Sequence, residues 1–213
     1  MNRFYRRPPA LAALLALALV AATCAQAPAQ SRQGPPDNAF SIDIPSEWVP
    51  IPALELYLFE HPGQSGPVTP EEMARLRNTR LGFQAPSEKW FTLPYIIVTL
   101  ESGRKRTPQD LFMESVMAEK DSEAQARGNG HRFREKDHQP LRRMTYYKDV
   151  GYSAAQGRNV AMGVYTYLTS QGFLRVSWYA GEKELRYWEK ALHAAAMSVA
   201  LSPRLEYKPE GAK

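Results

Sequence analysis

Cysteine is almost absent from this chain, since Cys24 is the single cysteine among 213 residues. It lies in the N-terminal leader described below, so the domain that follows contains no thiol. A disulfide, a thiolate zinc site and a cysteine nucleophile are therefore excluded for that domain. The roughly 170 residues that remain are enough to bury one hydrophobic core without covalent cross-links.

An excess of charge of one sign is also missing. The chain has 27 Lys and Arg against 22 Asp and Glu, a formal net charge of +5. Arg3, Arg6 and Arg7 in the leader supply three of these cations, so the remainder carries 24 against 22, a net charge of +2. A nearly neutral domain gives no support to nucleic acid as a partner.

The first 25 residues have the layout of a secretory signal peptide. The leader arginines precede an apolar run over residues 10–22, which is too short to span a bilayer stably, and small residues follow it. Cleavage after Ala25 or Ala29 leaves small residues at the last and third-last positions. We predict an exported protein, periplasmic or secreted, with a disordered linker over residues 26–39. In the alternative, Cys24 is acylated and anchors a lipoprotein to the membrane.

The clearest pattern is a β-hairpin followed at once by an amphipathic helix. Residues 160–169 alternate between two faces, residues 173–179 alternate again, and turn-forming residues separate them. From Leu185 to Val199, apolar residues recur at helical spacing along one stripe. A hairpin with one apolar face needs a cover, so we expect this helix to pack against it.

Two further helices have clear start signals. Thr69 is the expected N-cap before Pro70, and acidic residues occupy the first turn that follows. Thr107 is followed by Pro108 at the first helical position and by Asp110 at the third. We therefore predict a short helix from residue 70 and a longer one from residue 108.

The remaining apolar segments predict strands. Strands are expected over Phe40–Ile44, Leu54–Glu60 and, as a buried central strand, Tyr95–Leu100, with further strands between residues 132 and 155. Residues 80–94 are predicted to be irregular, and residues 203–213 form a polar tail. The fold class is α+β, with an antiparallel β-sheet and helices packed on its faces. This α-β-α sandwich is predicted to be a single domain over residues 40–202.

One sequence motif resembles part of a serine hydrolase. Residues 151–155 approach the Gly-x-Ser-x-Gly nucleophile elbow, with Ser153 in the place of the nucleophile. Ala155 replaces the second glycine, and a strand follows where that elbow needs a helix. No complete catalytic set is found, so the protein is predicted not to be an enzyme.

The four histidines do not form a metal-binding pattern. His61, His131, His138 and His193 lack the short spacings that place two imidazoles on one face of a helix or hairpin. No metal and no cofactor are predicted. An envelope hydrolase that uses Ser153, or a pair formed by His131 and Asp137, is the alternative function.

Aromatic residues on the predicted strands are the best candidates for a binding surface. The residues predicted for binding are Tyr165, Tyr167, Arg175 and Tyr179. Several of the strand aromatics are expected on the sheet face opposite Val164 and Val176. Such a face must be covered by a second helix or form a binding surface. We expect the helix that follows Thr107 to pack on this aromatic face and cover it.

The order of these elements resembles that of PsbP-like domains. Phe40 to Val49 reads Phe-Ser-Ile-Asp-Ile-Pro-Ser-Glu-Trp-Val, a strand broken by Pro45 and a turn with Trp48. The late hairpin with its closing helix and the helix after Thr107 match the family's order of elements, and small exported bacterial proteins of the DcrB type are similar. The resemblance implies a non-enzymatic accessory or binding role in the bacterial cell envelope, with an unknown protein partner. We expect a monomer, and we expect it to associate with a membrane only if Cys24 is lipidated.

Overall fold

The computed structural model of the chain describes residues 29–63, 68–129 and 132–209. The predicted signal peptide, Cys24 and His131 lie outside the described residues. The helices are α1 (Ala53–Glu60), α2 (Pro70–Thr79), α3 (Pro108–Asn129) and α4 (Leu185–Met197), with a 3-10 turn over Pro140–Arg142. The strands are β1 (Gln30–Gln33), β2 (Phe40–Pro45), β3 (Val49–Pro50), β4 (Arg80–Gln84), β5 (Tyr95–Ser102), β6 (Arg132–Gln139), β7 (Met144–Ser153), β8 (Arg158–Leu168), β9 (Gly172–Gly181) and β10 (Ala200–Leu201). No helix in these ranges is long and apolar enough to cross a membrane.

Antiparallel pairing organises the whole fold. A seven-stranded sheet has the order β3-β4-β5-β9-β8-β7-β6, and a three-stranded sheet has the order β1-β2-β10. The predicted hairpin forms β8 and β9 at the centre of the large sheet, and β5 lies beside β9. The predicted α+β class, an antiparallel sheet with helices on its faces in one domain, is confirmed.

The hydrophobic core lies between the large sheet and α4. Leu192 and Ala195 on α4 are buried against Leu174 and Trp178 on β9. β2 completes this layer beside α4, and its Ile42 is fully buried in the same cluster. The closing helix therefore covers the hairpin, as its apolar stripe predicts.

The predicted helix starts are also confirmed. Thr69 Oγ1 accepts a hydrogen bond from Glu72 N at 3.2 Å. Thr107 Oγ1 accepts one from Asp110 N at 3.1 Å, and Asp110 Oδ2 accepts one from Thr107 N at 2.8 Å. These reciprocal bonds form a capping box at the start of α3. Hydrogen bonds from the Thr107 side chain and backbone also hold the pKa of the Asp110 carboxyl below its usual value.

The predicted strand over Leu54–Glu60 is wrong, because Ala53–Glu60 forms helix α1. β3 already pairs with the free edge of β4, so no strand position beside β4 is left for this segment. The segment lies over the sheet instead, and a helix there satisfies its own backbone hydrogen bonds. Its Ala, Leu and Glu residues are good helix formers. Leu56 is buried above Gly82 of β4, whereas Leu54 and Leu58 are exposed.

Three other segments differ from the sequence-based expectations. Arg80–Gln84, expected to be irregular, forms β4 and pairs with β5. Gln30–Gln33, within the expected linker, forms β1 and pairs with β2. In the expected polar tail, Leu205 is fully buried and Glu206 forms a β-bridge with Thr169. Strand pairing and core contacts with distant residues order these segments, and neither is visible in local composition.

Candidate functional site

The face of the large sheet opposite α4 is only partly covered. α1 lies over β4 and β5, and α3 lies over β6 and β7. Between the two helices, β8 and β9 form the floor of an open groove made of two adjoining cavities that share Met162 and Tyr179. The floor residues are Met162, Val164 and Thr166 on β8 and Arg175, Ser177 and Tyr179 on β9. We call this feature the groove.

The cavity beside α3 is polar and has a volume of about 370 Å³. We call it the polar pocket. Hydroxyl groups of Thr145, Thr166 and Tyr147 line its sheet side, and Glu114 and Asp121 of α3 line its other side. This arrangement offers hydrogen-bonding groups together with negative charge.

Arg175 connects the floor of the polar pocket to two other elements. Its Nη1 donates to Glu101 Oε1 of β5 at 2.5 Å, and its Nη2 donates to Glu114 Oε2 of α3 at 2.7 Å. The side chain is 30% exposed and is therefore partly shielded from solvent. Because two carboxylates already bind this guanidinium, its charge is compensated. It holds α3 to the sheet and does not act as a free receptor for anions.

The second cavity lies beside α1 and has a volume of about 240 Å³. We call it the aromatic pocket. Tyr95 and Tyr179 stack with ring centroids 4.7 Å apart, and Phe59 meets Tyr95 edge-on at 6.4 Å. Tyr152, 57% exposed, lies at the rim. Asp149, 5% exposed, places a carboxylate in the pocket wall, where its Oδ1 accepts a hydrogen bond from Val150 N at 2.7 Å.

A constrained loop supports the aromatic pocket from outside. The fully buried Gln84 donates through Nε2 to Lys89 O at 2.8 Å and accepts at Oε1 from Phe91 N at 2.7 Å. Gln156 donates to Phe91 O at 3.1 Å. Phe91 has φ +58°, a left-handed conformation that is strained for a bulky residue. Its ring stacks on Phe59 at 4.1 Å, so the surrounding hydrogen bonds fix one wall of the pocket in advance.

The groove tyrosines keep their protons at physiological pH. Burial, with a smaller contribution from Tyr179, raises the pKa of Tyr147 to about 12. Burial also raises the pKa of Tyr95 and of Tyr179 above the ordinary value. These side chains therefore act as neutral rings and hydroxyl groups.

The structure does not bring the four predicted binding residues to one surface. Arg175 and Tyr179 lie in the groove. Tyr165 and Tyr167 lie on the opposite face, beneath α4, and both are buried. Tyr165 Oη lies 2.6 Å from His193 Nδ1. The Tyr167 hydroxyl donates to Ala196 O at 2.7 Å.

The register of the hairpin explains this division. The prediction placed Val164 and Val176 on one face. In the structure Leu168 pairs with Phe173, with residues 169–172 between them, so Val164 lies opposite Ser177 instead. Shifting the pairing by one residue exchanges the faces of a strand. The tyrosines that alternate with Val164 therefore lie on the core side.

Among the described residues, Ser153 does not form a catalytic arrangement with a histidine, and the pair of His131 and Asp137 stays a prediction. Ser153 lines the rim of the aromatic pocket, and its Oγ accepts a hydrogen bond from Gln156 N at 3.3 Å within the β7–β8 turn. No histidine is among the described residues that line this pocket. Asp137 Oδ2 accepts from Gln139 Nε2 at 2.7 Å. The expected partner of Asp137, His131, lies outside the described residues.

The sequence-based prediction missed Asp149, Phe59 and Tyr95 as site residues. Asp149 is an acidic residue inside a strand that is otherwise largely apolar, and a buried charge in that position is a usable signal. The sequence pattern predicts Phe59 on a strand and Tyr95 on a buried central strand. Neither carries a local pattern that indicates a pocket.

Comparison with known structures identifies the fold as PsbP-like, and the resemblance seen in the sequence is confirmed at this level. The solution structure of cyanobacterial PsbP (CyanoP) from Synechocystis sp. PCC 6803 is similar, with a TM-score of 0.50 and 8% sequence identity over 84% of this chain and 96% of that chain. Two structures with lower scores have 13% identity to this chain and cover 82% of it. They are LpqN, involved in cell envelope biogenesis of Mycobacterium tuberculosis (TM-score 0.47, 91% of that chain), and the Saccharomyces cerevisiae Ran-binding protein Mog1p (TM-score 0.45, 96% of that chain). No family model and no curated protein matches the chain in sequence.

Proposed function

We propose that this protein is an exported, non-enzymatic binding protein of the bacterial cell envelope that holds a segment of a partner protein in the groove. The observation that carries this proposal is the groove itself, an open cleft with aromatic and polar halves between two helices. The constrained loop around Phe91 supports Phe59, which lines the aromatic pocket, from outside. Preformed concave sites with a few placed polar groups are typical of ligand and peptide binding.

The proposal of export rests on the leader, and one hydrogen bond of the fold supports one of the two predicted cleavage sites. Ser46 N donates to Ala29 O at 2.8 Å, and β1 begins at the next residue. Cleavage after Ala25 keeps this hydrogen bond, so we favour it over cleavage after Ala29. If Cys24 is acylated instead, β1 lies within about 20 Å of the bilayer. Six residue steps separate Cys24 from Gln30, and each step of an extended chain spans at most about 3.3–3.6 Å.

The mass of the processed protein distinguishes these routes. Intact mass spectrometry of the soluble and membrane fractions is expected to show a soluble chain that starts at Gln26. A chain that starts at an acylated Cys24 in the membrane fraction would replace the soluble route with the lipoprotein route. An unprocessed chain in the cytoplasm would contradict export. Size-exclusion chromatography of the mature protein is expected to show a monomer.

Photo-crosslinking in cells tests the binding role of the groove. Tyr152 at the rim is replaced by p-benzoylphenylalanine, and Tyr187 is replaced in a matched control. Tyr187 is 67% exposed on α4, on the opposite side of the sheet. We expect a discrete crosslinked protein from position 152 and none from position 187. No adduct from position 152, or the same adducts from both positions, would contradict a partner in the groove.

A further inference from the structure

We propose that the end of the large sheet around the turn between β8 and β9 is a basic surface that binds an acidic segment of a partner protein. Four stretches meet there, namely residues 102–110, 140–143, 169–172 and 202–209. We call this surface the basic end. It lies outside the groove and is independent of what the groove binds.

Hydrogen bonds and strand pairing bring the four stretches together. Leu168 N donates to Arg143 O at 2.9 Å, which joins the turn before β7 to the end of β8. Ser170 Oγ donates to Arg204 O at 2.7 Å, which joins the C-terminal stretch to the turn between β8 and β9. β5 ends opposite the start of β9, so the stretch that leads into α3 leaves the sheet at the same turn. Basic residues that are far apart in sequence therefore share one end of the fold.

The basic end is strongly positive, although the domain is nearly neutral. Its acidic residues are Asp110 and Glu206, and its basic residues are Arg104, Lys105, Arg106, Arg142, Arg143, Arg204 and Lys208. Seven cations against two acids give this end a net charge of +5, whereas the chain without the leader arginines carries +2. The rest of the domain is therefore net negative. A charge concentrated in this way attracts partners of the opposite sign and speeds their association.

Only part of this positive charge is compensated within the domain. Arg204 pairs with Asp37 at 2.5 Å. The carboxylate of Asp110 lies near Arg106 and Arg104, but it is bonded to Thr107 at the start of α3. Within the part of the chain that the structure describes, Arg104, Arg106 and Arg142 form no ion pair.

Aromatic rings hold two of the arginines in place. The guanidinium carbon of Arg106 lies 5.0 Å from the centre of the Phe173 ring, and that of Arg143 lies 5.2 Å from the centre of the Tyr207 ring. Tyr207 packs against the hydrophobic cluster that contains Phe173, so both guanidinium groups lie against one cluster. Arg143 Nη1 also donates to Tyr207 O. These side chains lose less conformational freedom on binding, because they are already ordered.

This setting favours a protein segment over an anionic lipid surface. Planar guanidinium groups at fixed positions match carboxylates, which bind them through two parallel hydrogen bonds. Attraction to a lipid surface depends mainly on the number of exposed basic side chains, whereas Arg106 and Arg143 are partly buried. Leu141, 99% exposed in the turn beside Arg143, offers an apolar contact to the same segment.

Short peptides test this preference on the mature protein. Hexaglutamate with blocked ends is the acidic probe, and hexaglutamine with blocked ends is the neutral probe. Each is titrated at low ionic strength into the ¹⁵N-labelled protein, and amide shifts are mapped onto the fold. We expect saturable shifts around Arg106, Arg143 and Ser170 with hexaglutamate, and binding of hexaglutamine at least about tenfold weaker. Vesicles of phosphatidylglycerol represent the lipid surface, and we expect no cosedimentation with them.

Lysine variants test the placed guanidinium groups. Arg106→Lys and Arg143→Lys keep the positive charge and remove the planar group that lies on the ring. Each is expected to weaken binding of hexaglutamate about fivefold, which corresponds to about 1 kcal/mol. Arg104→Lys is the matched control, because Arg104 is exposed and has no ring contact among the described residues. It is expected to leave the affinity unchanged.

Several outcomes would overturn the acidic partner. They are equal binding of the two peptides, no binding of hexaglutamate, and cosedimentation with phosphatidylglycerol vesicles. The unmodified protein decides between these outcomes even if a variant fails to fold. Lysine variants that bind hexaglutamate as tightly as the unmodified protein would overturn the role of the placed guanidinium groups. Crosslinking from position 152 tests the groove separately, so a negative result here leaves the proposed function standing.

Discussion

Gly163 is a position where one added methyl group has a clearly defined consequence. It lies on β8 opposite Trp178 of β9, on the core side of the sheet. A Cβ at this position would lie 2.3 Å from Trp178 Cε2, 2.4 Å from Cζ2 and 2.5 Å from Nε1. Carbon atoms pack comfortably at about 3.5 Å, so the indole or the strand would have to move by about 1 Å.

The indole cannot move into solvent, because Trp178 is fully buried beside Ile96 and beneath α4. Overpacking a core costs about 1–3 kcal/mol, and the rigid surroundings favour the upper end, about 3 kcal/mol. For a domain of this size, each 1 kcal/mol lowers Tm by about 2–4 °C, so Gly163→Ala is expected to lower Tm by about 6–12 °C.

Urea and thermal denaturation, followed by circular dichroism, measure this effect. The control is the double variant Gly163→Ala/Trp178→Leu, compared with Trp178→Leu alone. Once the indole is gone, the added methyl group is expected to cost little, so the two substitutions should not be additive. Unfolding free energy of Gly163→Ala within about 0.5 kcal/mol of the unmodified protein, or strict additivity in the double variant, would refute the reasoning.

Three further predictions concern the groove and the core. Gln84→Ala removes two buried hydrogen bonds that hold the loop around Phe91, so we expect the unfolding free energy to fall by about 2 kcal/mol. In NMR spectra the amide signal of Phe91 should broaden through conformational exchange, and a sharp, unshifted signal would count against this role of Gln84. Tyr167→Phe removes the hydroxyl that donates to Ala196 O, so we expect the unfolding free energy measured by urea denaturation to fall by about 1 kcal/mol. An unchanged urea midpoint would contradict this prediction. Burial raises the pKa of Tyr147 to about 12 in the folded state from 10 in the unfolded state, so its contribution to stability is complete below pH 10 and is lost as pH rises toward 12. The urea midpoint should therefore fall above pH 10, and absorbance titration at 295 nm should show tyrosines that ionise late; a single transition near pH 10 for all tyrosines would exclude this.

Local signals in the sequence are sufficient to predict several of the helices and strands. The threonine caps before α2 and α3 satisfy backbone N–H groups that the first turn of any helix leaves unpaired, so their effect does not depend on the rest of the fold. The apolar stripe of α4 and the alternation in β8 and β9 reflect the burial of one face of each element. The spacing of apolar residues along the sequence is enough to detect this burial. These elements were predicted correctly, and with them the fold class.

The groove, in contrast, depends on contacts between distant parts of the chain. Phe59 reaches it only because β3 occupies the edge beside β4 and leaves α1 to fold over the sheet. Tyr95 and Tyr179 stack because β5 pairs with β9 across more than eighty residues of sequence. Asp149 enters the pocket because β7 lies beyond β8 in the same sheet.

The sequence by itself determined where α2 and α3 begin, the apolar stripe of α4 and the alternation of β8 and β9, because these features arise from neighbouring residues. The pairing of Val164 with Ser177 was decided only in the tertiary structure, because it depends on the length and geometry of the turn after Leu168. A shift of one residue at that turn exchanges the two faces of β8. It therefore decides which tyrosines enter the core and which side chains remain in the groove.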